Sequence, residues 1–345
     1  MKQKSRVVII KADLNSIEKA VNESIDLIDG LSDLPGKKVV CIKPNLCGLK
    51  SSSSGQTTDP RIVEAIIKRV NVVSNCKINI VETNNSQASA DTTFEKLGYM
   101  DLTDKYPNVR CVNLSKDTKL RVSLNGEIFR TLSVPETMLF SDYFINVAKL
   151  KTHVDYYYTG VLKNAYGLLV DRHLRMQCHG FMDKILADLN TIFKPELSVI
   201  DAVVGMEGFG PTDGKPKYVG AIIASKDPVA ADAVAAQIAG IKPTKVGYLK
   251  HAAKKNIGEF KDIEVLGCDI NHVKTKFEFI PRKWYYLGRA SLRLQKFSKR
   301  CSNFARFLSL TRSALSTIGF SDLEKRASFS DMFGLVWDTI FKIDG

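Results

Sequence analysis

The amino-acid sequence predicts an α/β protein whose mostly parallel or mixed sheet is flanked by helices. Short apolar runs typical of buried strands alternate with helical patterns through the first third of the chain, at residues 7–10, 38–42, 78–81 and 109–114. Strands that alternate with helices favour a largely parallel sheet, because each helix carries the chain back across the sheet. The length of 345 residues and the hydrophobic content of 44% allow a large core without disulfide or metal support.

Two helices have clear start signals. Asp59 and Asp227 each precede a proline, so the carboxylate is expected to cap the helix and the proline to take its first position. After Pro60 the apolar residues recur at helical spacing, which predicts an amphipathic helix. Further along the chain the patterns predict a helix over 182–193 and strands at 143–148, 197–204, 219–224 and 263–266.

The segment 119–134 interrupts this alternation. Two strand-like runs, 120–124 and 128–132, flank Asn125 and Gly126, and Asn-Gly between such runs predicts a hairpin. Either the main sheet is mixed at this point or the segment forms a small β insert.

The positive charge is concentrated in a C-terminal segment. The formal net charge is +13, and residues 274–312 contribute +10 of it. We therefore expect an α/β core over residues 1–273, either whole or as two lobes of about 1–140 and 141–273, and a basic helical extension over 274–345. Apolar residues within 282–312 recur at helical spacing beside a basic stripe, as in helices that lie on anionic membranes. Docking of this stripe on the core is equally open, and nucleic acid is less favoured because no binding motif accompanies the charge.

The sequence predicts a cytoplasmic protein, with any membrane contact peripheral. No apolar stretch approaches the roughly 20 residues of a spanning helix, and the N-terminal apolar run is too short for a signal peptide. The seven cysteines are odd in number and form no C-x-x-C pair, which argues against a disulfide framework. Cys41, Cys76 and Cys111 lie in or beside apolar strands and are expected to be small buried hydrophobes.

Polar side chains follow two of the predicted buried strands. Lys43 and Asn45 end the run 38–42, and Lys149, Lys151 and His153 end the run 143–148. Open α/β sheets bind ligands at the carboxyl ends of their strands. Lys43 and Asn45 are therefore predicted to bind a ligand, and Lys151 and His153 to bind it or transfer a proton.

A small-residue turn follows and brings two more candidates, Lys163 and Asn164. Lysines beside the backbone amides of such a turn suit an anionic group, so Lys163 is expected to bind the ligand or transfer a proton and Asn164 to bind it. A lysine crowded by other cations has a lowered pKa and can act as a base or nucleophile. These groups together predict a small anionic ligand.

Histidines cluster in the middle of the chain. His153, His173 and His179 fall within 27 positions, and with Cys178 they could form a metal site. We take His173 and His179 as the metal candidates, with a hydrogen-bonded structural role as the alternative.

A glycine-rich loop follows the predicted strand 197–204. Gly208 and Gly210 would let the backbone approach a ligand closely, and the spacing matches neither the dinucleotide fingerprint nor the P-loop. Asp201 and Glu207 flank this loop and are candidates for acid–base or orienting roles. Asp232, one turn into the helix after Pro228, could face either the site or solvent.

The same segments resemble the family called domain of unknown function 362. The resemblance rests on blocks that occur in the family's order: Lys43–Leu46, Lys149–His153, Gly160–Gly167, Asp201–Gly214 and Ser225–Asp232. It implies an α/β fold, a cytoplasmic location and a link to iron–sulfur redox proteins, since many relatives carry an appended ferredoxin module. This chain has no C-x-x-C-x-x-C run and therefore no built-in cluster of that type. The family is also similar, at a distance, to nickel-pincer lactate racemases, which implies a Lys and His pocket for a small carboxylate cofactor or substrate. These two resemblances together make iron or nickel the candidate metals.

The sequence thus predicts a redox or isomerase-like enzyme that acts on a small anionic molecule in a Lys/His/Asp pocket. The alternative is a non-catalytic ligand-binding or iron–sulfur-linked accessory protein, with a redox partner protein, held at a membrane by residues 282–312. The sequence leaves open whether the protein is an enzyme.

Overall fold

The structure is a computed structural model of the chain, and it describes residues 4–280. The basic helix predicted within 282–312 lies outside the described residues. None of the helices in residues 4–280 has both the length and the apolar character needed to span a bilayer.

Within residues 4–280 nine strands form a mixed sheet and two more pair separately. The strands are β1 (Arg6–Lys11), β2 (Val39–Pro44), β3 (Lys77–Glu82), β4 (Val109–Asn113), β5 (Lys119–Ser123), β6 (Thr131–Pro135), β7 (Tyr143–His153), β8 (Tyr157–Thr159), β9 (Leu197–Glu207), β10 (Lys215–Ser225) and β11 (Glu264–Gly267). The predicted α/β class is confirmed, and every strand predicted for the main sheet is present. β7, β9 and β10 extend three to five residues beyond the predicted runs.

The main sheet has the order β11-β1-β10-β9-β7-β2-β3-β4, with β8 paired to β7. The pairs β9–β7, β7–β2, β2–β3, β3–β4 and β1–β11 are parallel. The pairs β1–β10, β10–β9 and β7–β8 are antiparallel. The chain passes from β2 to β3 on one side and later returns to β7 on the other side of β2, which makes a topological switch point of the kind that binds ligands.

The helices cover both faces of this sheet. They are α1 (Ile17–Leu27), α2 (Pro60–Val73), α3 (Ala90–Lys96), α4 (Met100–Lys105), α5 (Glu136–Leu139), α6 (Val161–Asn164), α7 (Arg172–Cys178), α8 (Met182–Ile192), α9 (Pro228–Ile238), α10 (Gly247–Lys254) and α11 (Ile270–Val273). Residues of α1 and α2 pack in one apolar core and residues of α6, α8 and α9 in the other. The alternation along each strand decides which face a side chain reaches.

Both predicted aspartate caps are confirmed. The side chain of Asp59 accepts the N–H of Arg61 at the start of α2, and Pro60 takes the first helical position. Asp227 accepts the N–H groups of Val229 and Ala230 at the start of α9. Each carboxylate satisfies N–H groups that have no partner inside the helix.

The hairpin prediction is correct in kind, but the turn is longer than the Asn-Gly pair. β5 and β6 pair antiparallel from Ser123 and Thr131 outwards as a separate two-stranded sheet, so the predicted run 128–132 lies largely in the loop. The reason is Asp188 on α8, whose buried carboxylate accepts the N–H groups of Glu127, Ile128 and Phe129. These long-range hydrogen bonds outweigh the local preference of Asn-Gly for a tight turn.

Candidate functional site

The candidate site lies at the carboxyl ends of the parallel strands β2, β3 and β7. Lys43 near the end of β2 is 1% exposed, and its Nζ lies 2.8 Å from Oε2 of Glu82, the last residue of β3. The same ammonium donates to Oδ1 of Asn164 on α6 at 3.2 Å. Asn164 in turn donates to Oδ1 of Asn146 on β7 at 2.7 Å. Three strands and one helix are thereby fixed to one another through a buried polar network.

A second buried pair lies on the opposite face of the sheet. Lys149 on β7 and Asp201 on β9 are 1% and 0% exposed, and Nζ lies 2.8 Å from Oδ2. Asp201 also accepts the backbone N–H of Asp59 at 2.9 Å, which fixes the start of α2 to the sheet. Because both charges are buried and matched, this pair is suited to holding structure rather than to transferring protons.

Lys151 has different surroundings. It is 1% exposed, and its Nζ donates to Asn45 Oδ1 at 2.7 Å and to the carbonyl of Gln56 at 2.8 Å. Sγ of Cys47 lies 3.1 Å from the same nitrogen. No carboxylate appears among its hydrogen-bond or ion-pair partners within residues 4–280. Burial lowers the pKa of Lys151, and the charges of Lys149 and Lys43 act in the same direction while Cys47 opposes them.

A cavity of about 140 Å³ opens between these groups. Its lining includes the basic side chains Lys43, Lys151, Lys163 and Arg175, the carboxylate of Glu82, the amides of Asn45, Asn85 and Asn164, and also Cys47, Tyr166, Gly167 and Pro211. Among these lining residues four carry basic groups and one carries an acid. The arrangement is suited to an anion.

The outer wall of the cavity comes from the segment after β8. Tyr166 follows α6 in a 3-10 turn, and Nζ of Lys163 lies 5.4 Å from the centre of its ring. Arg175 on α7 donates to the hydroxyl of Thr83 and to the carbonyl of Asn84, both just after β3. The guanidinium therefore spans from α7 to the end of β3 beside the cavity.

The start of α6 is fixed by Asp232, which the sequence left undecided between site and solvent. It is 0% exposed on α9, and it accepts the N–H of Val161 at 2.6 Å and that of Leu162 at 3.0 Å. Gly160 precedes this cap, and a Cβ there would lie 2.0 Å from Oδ1 of Asp232. Only glycine fits beside the carboxylate, so the cap and the glycine together position Lys163 and Asn164.

The glycine-rich loop packs on β7 rather than around the cavity. A Cβ on Gly210 would lie 2.1 Å from the carbonyl oxygen of Thr152, so glycine is required for this close approach. The carbonyl of Gly208 accepts a hydrogen bond from the hydroxyl of Thr152, and the N–H of Gly208 donates to the backbone carbonyl of Glu278. Gly208 and Gly210 are not among the residues that line the cavity, whereas the following Pro211 is.

Glu207 also lies apart from the cavity lining. Its carboxylate is 3.1 Å from Nζ of Lys217 on β10, and it accepts the N–H of Glu278 at 2.9 Å. These contacts hold β10 and residues 277–280 against the end of β9. These contacts give Glu207 a structural role, and Lys151 is not among its hydrogen-bond or ion-pair partners within residues 4–280.

The histidines do not assemble as the sequence predicted. His153 and His179 stack with ring centres 5.7 Å apart, and Asp155 lies 3.9 Å from Nδ1 of each. The ligating atoms of these three residues lie within 4.8 Å of one another. His173 is exposed on α7, and its Nε2 lies 2.6 Å from Nε2 of Gln177. The structure therefore groups His179 with His153 and Asp155, and not with His173 or Cys178.

The contacts of His153, Asp155 and His179 show how this group would hold a metal ion. Nδ1 of His153 accepts the backbone N–H of Asp155 at 3.0 Å. A metal ion at Nδ1 of His153 would replace this hydrogen bond, and His179 and Asp155 would supply the other ligand atoms. The ring of His179 lies against Tyr166, with centres 6.1 Å apart. Because Tyr166 lines the cavity, His179 supports the cavity wall through this contact.

Several of the predicted residues meet at the cavity: Lys43, Asn45, Lys151, Lys163 and Asn164 all line it. Glu82, Cys47 and Arg175 also line it, although the sequence had not pointed to them. Glu82 ends an apolar strand as Lys43 does, so the strand-end argument could have found it. Cys47 stands two residues after Asn45 and carried a similar signal.

The model of the family described as Domain of unknown function (DUF362) matches residues 40–237. The chain belongs to this family. All the cavity-lining residues from Lys43 to Pro211 fall in the matched range, and so does Asp232. The family description assigns no reaction, so the chemistry has to be inferred from the site.

Individual proteins similar to this member of the DUF362 family include a curated relative and a solved structure. Thylakoid-associated protein sll1697 of Synechocystis is 25% identical over 233 residues, which are 65% of this chain and 69% of that protein. The lactate racemase apoprotein from Thermoanaerobacterium thermosaccharolyticum aligns with 69% of this chain at 14% identity and a TM-score of 0.45. The chain spans 57% of that structure's length.

Proposed function

We propose that this protein is an enzyme that binds a small organic anion, such as a short-chain carboxylate, in the cavity and uses Lys151 for proton transfer. The observation that carries the proposal is the position of Lys151. It is a buried amine at the end of a strand, it borders a cavity, and it donates hydrogen bonds to two neutral oxygens and a thiol.

The charges of the cavity support an anionic ligand. Besides the pair of Lys43 and Glu82, the lining contains the basic groups of Lys163 and Arg175, and Glu82 is the one carboxylate among the lining residues. In a site with little water, charges of one sign attract a ligand of the opposite sign strongly. Arg175 can bind a carboxylate through two parallel hydrogen bonds, as guanidinium groups commonly do.

The size of the cavity supports a small ligand. A volume of about 140 Å³ corresponds to about five water molecules at roughly 30 Å³ each. A carboxylate with a short carbon chain fills such a space, whereas a dinucleotide does not.

Proton transfer is supported by the environment of Lys151. Burial lowers the pKa of its amine, which raises the share of neutral amine available as a base. Asn45 and the carbonyl of Gln56 fix the nitrogen in place, so it is oriented before a ligand binds.

Ligand binding is tested by calorimetry with propionate and inorganic phosphate as probes. Replacing Lys151 by Met, or Arg175 by Met, is expected to weaken binding at least about tenfold, the loss of one charge-assisted hydrogen bond. Lys226→Met is the matched control, because Lys226 is an exposed lysine paired with Asp33 and its loss should leave binding unchanged. Equal binding by the wild type and the Lys151 and Arg175 variants would exclude this cavity as the anion site.

Catalysis is tested separately by proton NMR in D₂O. A series of 2-hydroxy- and 2-oxocarboxylates is incubated with the protein. Exchange is followed at the C–H next to the carboxylate in the 2-hydroxy compounds and at the C–H next to the keto group in the 2-oxo compounds. Exchange that is lost in Lys151→Met but kept in Lys226→Met supports the proposal. Binding without exchange in any compound would favour a ligand-binding protein over an enzyme.

We also propose a second property, peripheral attachment to an anionic membrane through residues 282–312. It is supported by the basic and apolar pattern of that segment and by the thylakoid association named for the Synechocystis relative. Each lysine or arginine near such a surface contributes about 1 kcal/mol.

Co-sedimentation with vesicles of phosphatidylglycerol and phosphatidylcholine tests this attachment on the full chain. A variant with Arg289, Arg293, Lys296 and Arg300 changed to Gln should stay in the supernatant. A control with Lys19, Lys68, Lys215 and Lys245 changed to Gln loses equal charge and should still sediment. Equal sedimentation of both variants would remove residues 282–312 as the attachment site.

A further inference from the structure

Cys47 lies where the amine of Lys151 and the anion cavity meet. Its Sγ is 3.1 Å from Nζ of Lys151 and is part of the cavity lining. The thiol also lies 3.6 Å from the carbonyl of Gln56 and 3.8 Å from that of Pro211. The carbonyl of Gln56 therefore holds the amine and contacts the thiol at the same time.

The strand cysteines provide the contrast. Cys41 lies in β2, and burial raises the pKa of its thiol to about 11. Burial also raises the pKa of Cys111 to about 12 and that of Cys76 above its usual value. Protonated thiols in apolar surroundings are inert. Cys47 instead borders a cavity and contacts a buried amine, as nucleophilic thiols do.

We propose that Cys47 is a nucleophile in this cavity, that Lys151 accepts its proton, and that it attacks an electrophilic carbon of the small anion bound beside it. This inference rests on the proposed anion site and deepens it. It narrows the ligand to a small carboxylate that bears an electrophilic carbon, such as the carbonyl carbon of a 2-oxocarboxylate.

The step balances without any other reagent. The thiol proton moves from Sγ of Cys47 to the neutral amine of Lys151. The sulfur electron pair forms an S–C bond to the carbonyl carbon, and the π pair of the C=O bond moves to its oxygen. That oxygen then takes the proton from Lys151, which leaves the amine neutral and the ligand attached as a thiohemiketal. Lys163 and Arg175 line the same cavity and are the groups assigned to the carboxylate.

Alkylation by iodoacetamide and iodoacetate tests the proposal, because these reagents are similar in size and differ in charge. In both reactions the S–C bond forms, the C–I bond breaks and iodide leaves with the electron pair. Reaction at each cysteine is followed by peptide mass spectrometry on the full chain. Cys268, which is half-buried after the edge strand β11, provides the internal control.

With neutral iodoacetamide, Cys47 should react faster than Cys268 in the wild type, and Lys151→Met should slow Cys47 about tenfold, the effect of losing the adjacent cation on the thiolate fraction. Cys268 should be unchanged in that variant, which also shows that the variant is folded. If Cys47 reacts no faster than Cys268, or if Lys151→Met leaves it unchanged, the thiol–amine pair is not a nucleophile.

Iodoacetate separates this inference from the anion site. It should alkylate Cys47 faster than iodoacetamide does, and Arg175→Met should remove that preference, while propionate should protect Cys47. Suppose that Cys47 reacts fast with iodoacetamide in a Lys151-dependent way but shows no preference for iodoacetate. Cys47 would then still be identified as a nucleophile, and the proposed anion site would be wrong.

Discussion

Three buried lysines near the ends of β2 and β7 differ in what they contact. Lys43 and Lys149 each lie 2.8 Å from a buried carboxylate, Glu82 and Asp201 respectively. Lys151 is equally buried, but it contacts an amide oxygen, a backbone carbonyl and a thiol. Burial alone therefore does not distinguish a structural lysine from a reactive one.

The two lysines of the segment Lys149–His153 therefore have different roles. In Lys149–His153 the lysines stand two apart on one strand, and a register shift between Lys149 and Lys151 alters the pairing with β9. Lys149 meets Asp201 and fixes the sheet to α2, whereas Lys151 meets Asn45 and Cys47 beside the cavity. Removing one partner of the matched pair would leave the other charge buried and unpaired, whereas burial lowers the pKa of the unmatched Lys151 amine.

The largest expected effect comes from breaking the matched pair. Lys149→Met leaves Asp201 buried and without its lysine, so the free energy of unfolding should fall by about 3–5 kcal/mol. Urea unfolding followed by circular dichroism measures this change. Lys68→Met is the control, because the exposed pair of Lys68 and Glu18 should contribute at most about 1 kcal/mol.

The double variant Lys149→Met with Asp201→Asn sharpens this result. Removing the second charge should restore much of the lost stability, because an amide is less costly to bury than an unpaired carboxylate. If the single and double variants were equally unstable, lost packing rather than an unmatched charge would be the cause.

Asp232 is the acidic counterpart of Lys151, because its buried carboxylate accepts hydrogen bonds from the N–H groups of Val161 and Leu162 and from the hydroxyl of Tyr158. Burial raises its pKa from 3.8 to about 7, although these hydrogen bonds oppose the shift. The unfolded chain therefore releases this proton at lower pH than the folded protein does. The contribution of Asp232 to stability is full below about pH 4 and is lost as the pH rises to about 7.

Comparison with Asp232→Asn isolates this dependence, because the amide does not titrate. The stability of the wild type relative to the variant should fall by about 3 kcal/mol between pH 4 and 7.5, the order expected for such a shift. Urea unfolding at several pH values measures the difference. A constant difference would mean that Asp232 stays charged throughout this range.

The sequence predicted the strand ends well because two elementary rules apply there. Apolar runs predict buried strands, and polar residues that come directly after such a run lie towards the carboxyl end of the strand. This rule placed Lys43, Asn45 and Lys151 correctly. Pairing between the charges depends on strand order, however, and the sequence does not specify that β7 lies between β2 and β9. The sequence therefore could not predict that Lys43 pairs with Glu82 and Lys149 with Asp201.

Long-range hydrogen bonds account for the remaining differences. Asp188 reshapes the loop after Asn125, and Arg175 reaches the cavity from α7 only because Thr83 and Asn84 accept from it. His173 and His179 looked equivalent in the sequence, but only His179 lies beside Tyr156 and Tyr166. Such contacts depend on the packed fold and leave no local pattern.

A smaller effect is expected when the unmatched lysine itself is replaced. Lys151→Met should change the free energy of unfolding by at most about 1.5 kcal/mol, because removal of an amine without a buried carboxylate leaves no opposite charge unpaired. Measured beside Lys149→Met, this value tests the comparison directly. A loss as large as that of Lys149→Met would show that Lys151 also serves mainly to hold the fold.

The smallest effect is expected at Glu207, which the sequence had placed among the acid–base candidates. Glu207→Gln keeps an oxygen to accept the N–H of Glu278 and loses only the ion pair with Lys217, whose side chain is 28% exposed. Stability should therefore fall by about 1 kcal/mol, and calorimetric binding of propionate should not change. A loss of binding comparable to that in Lys151→Met would mean that the carboxylate acts on the cavity despite its position at the end of β9.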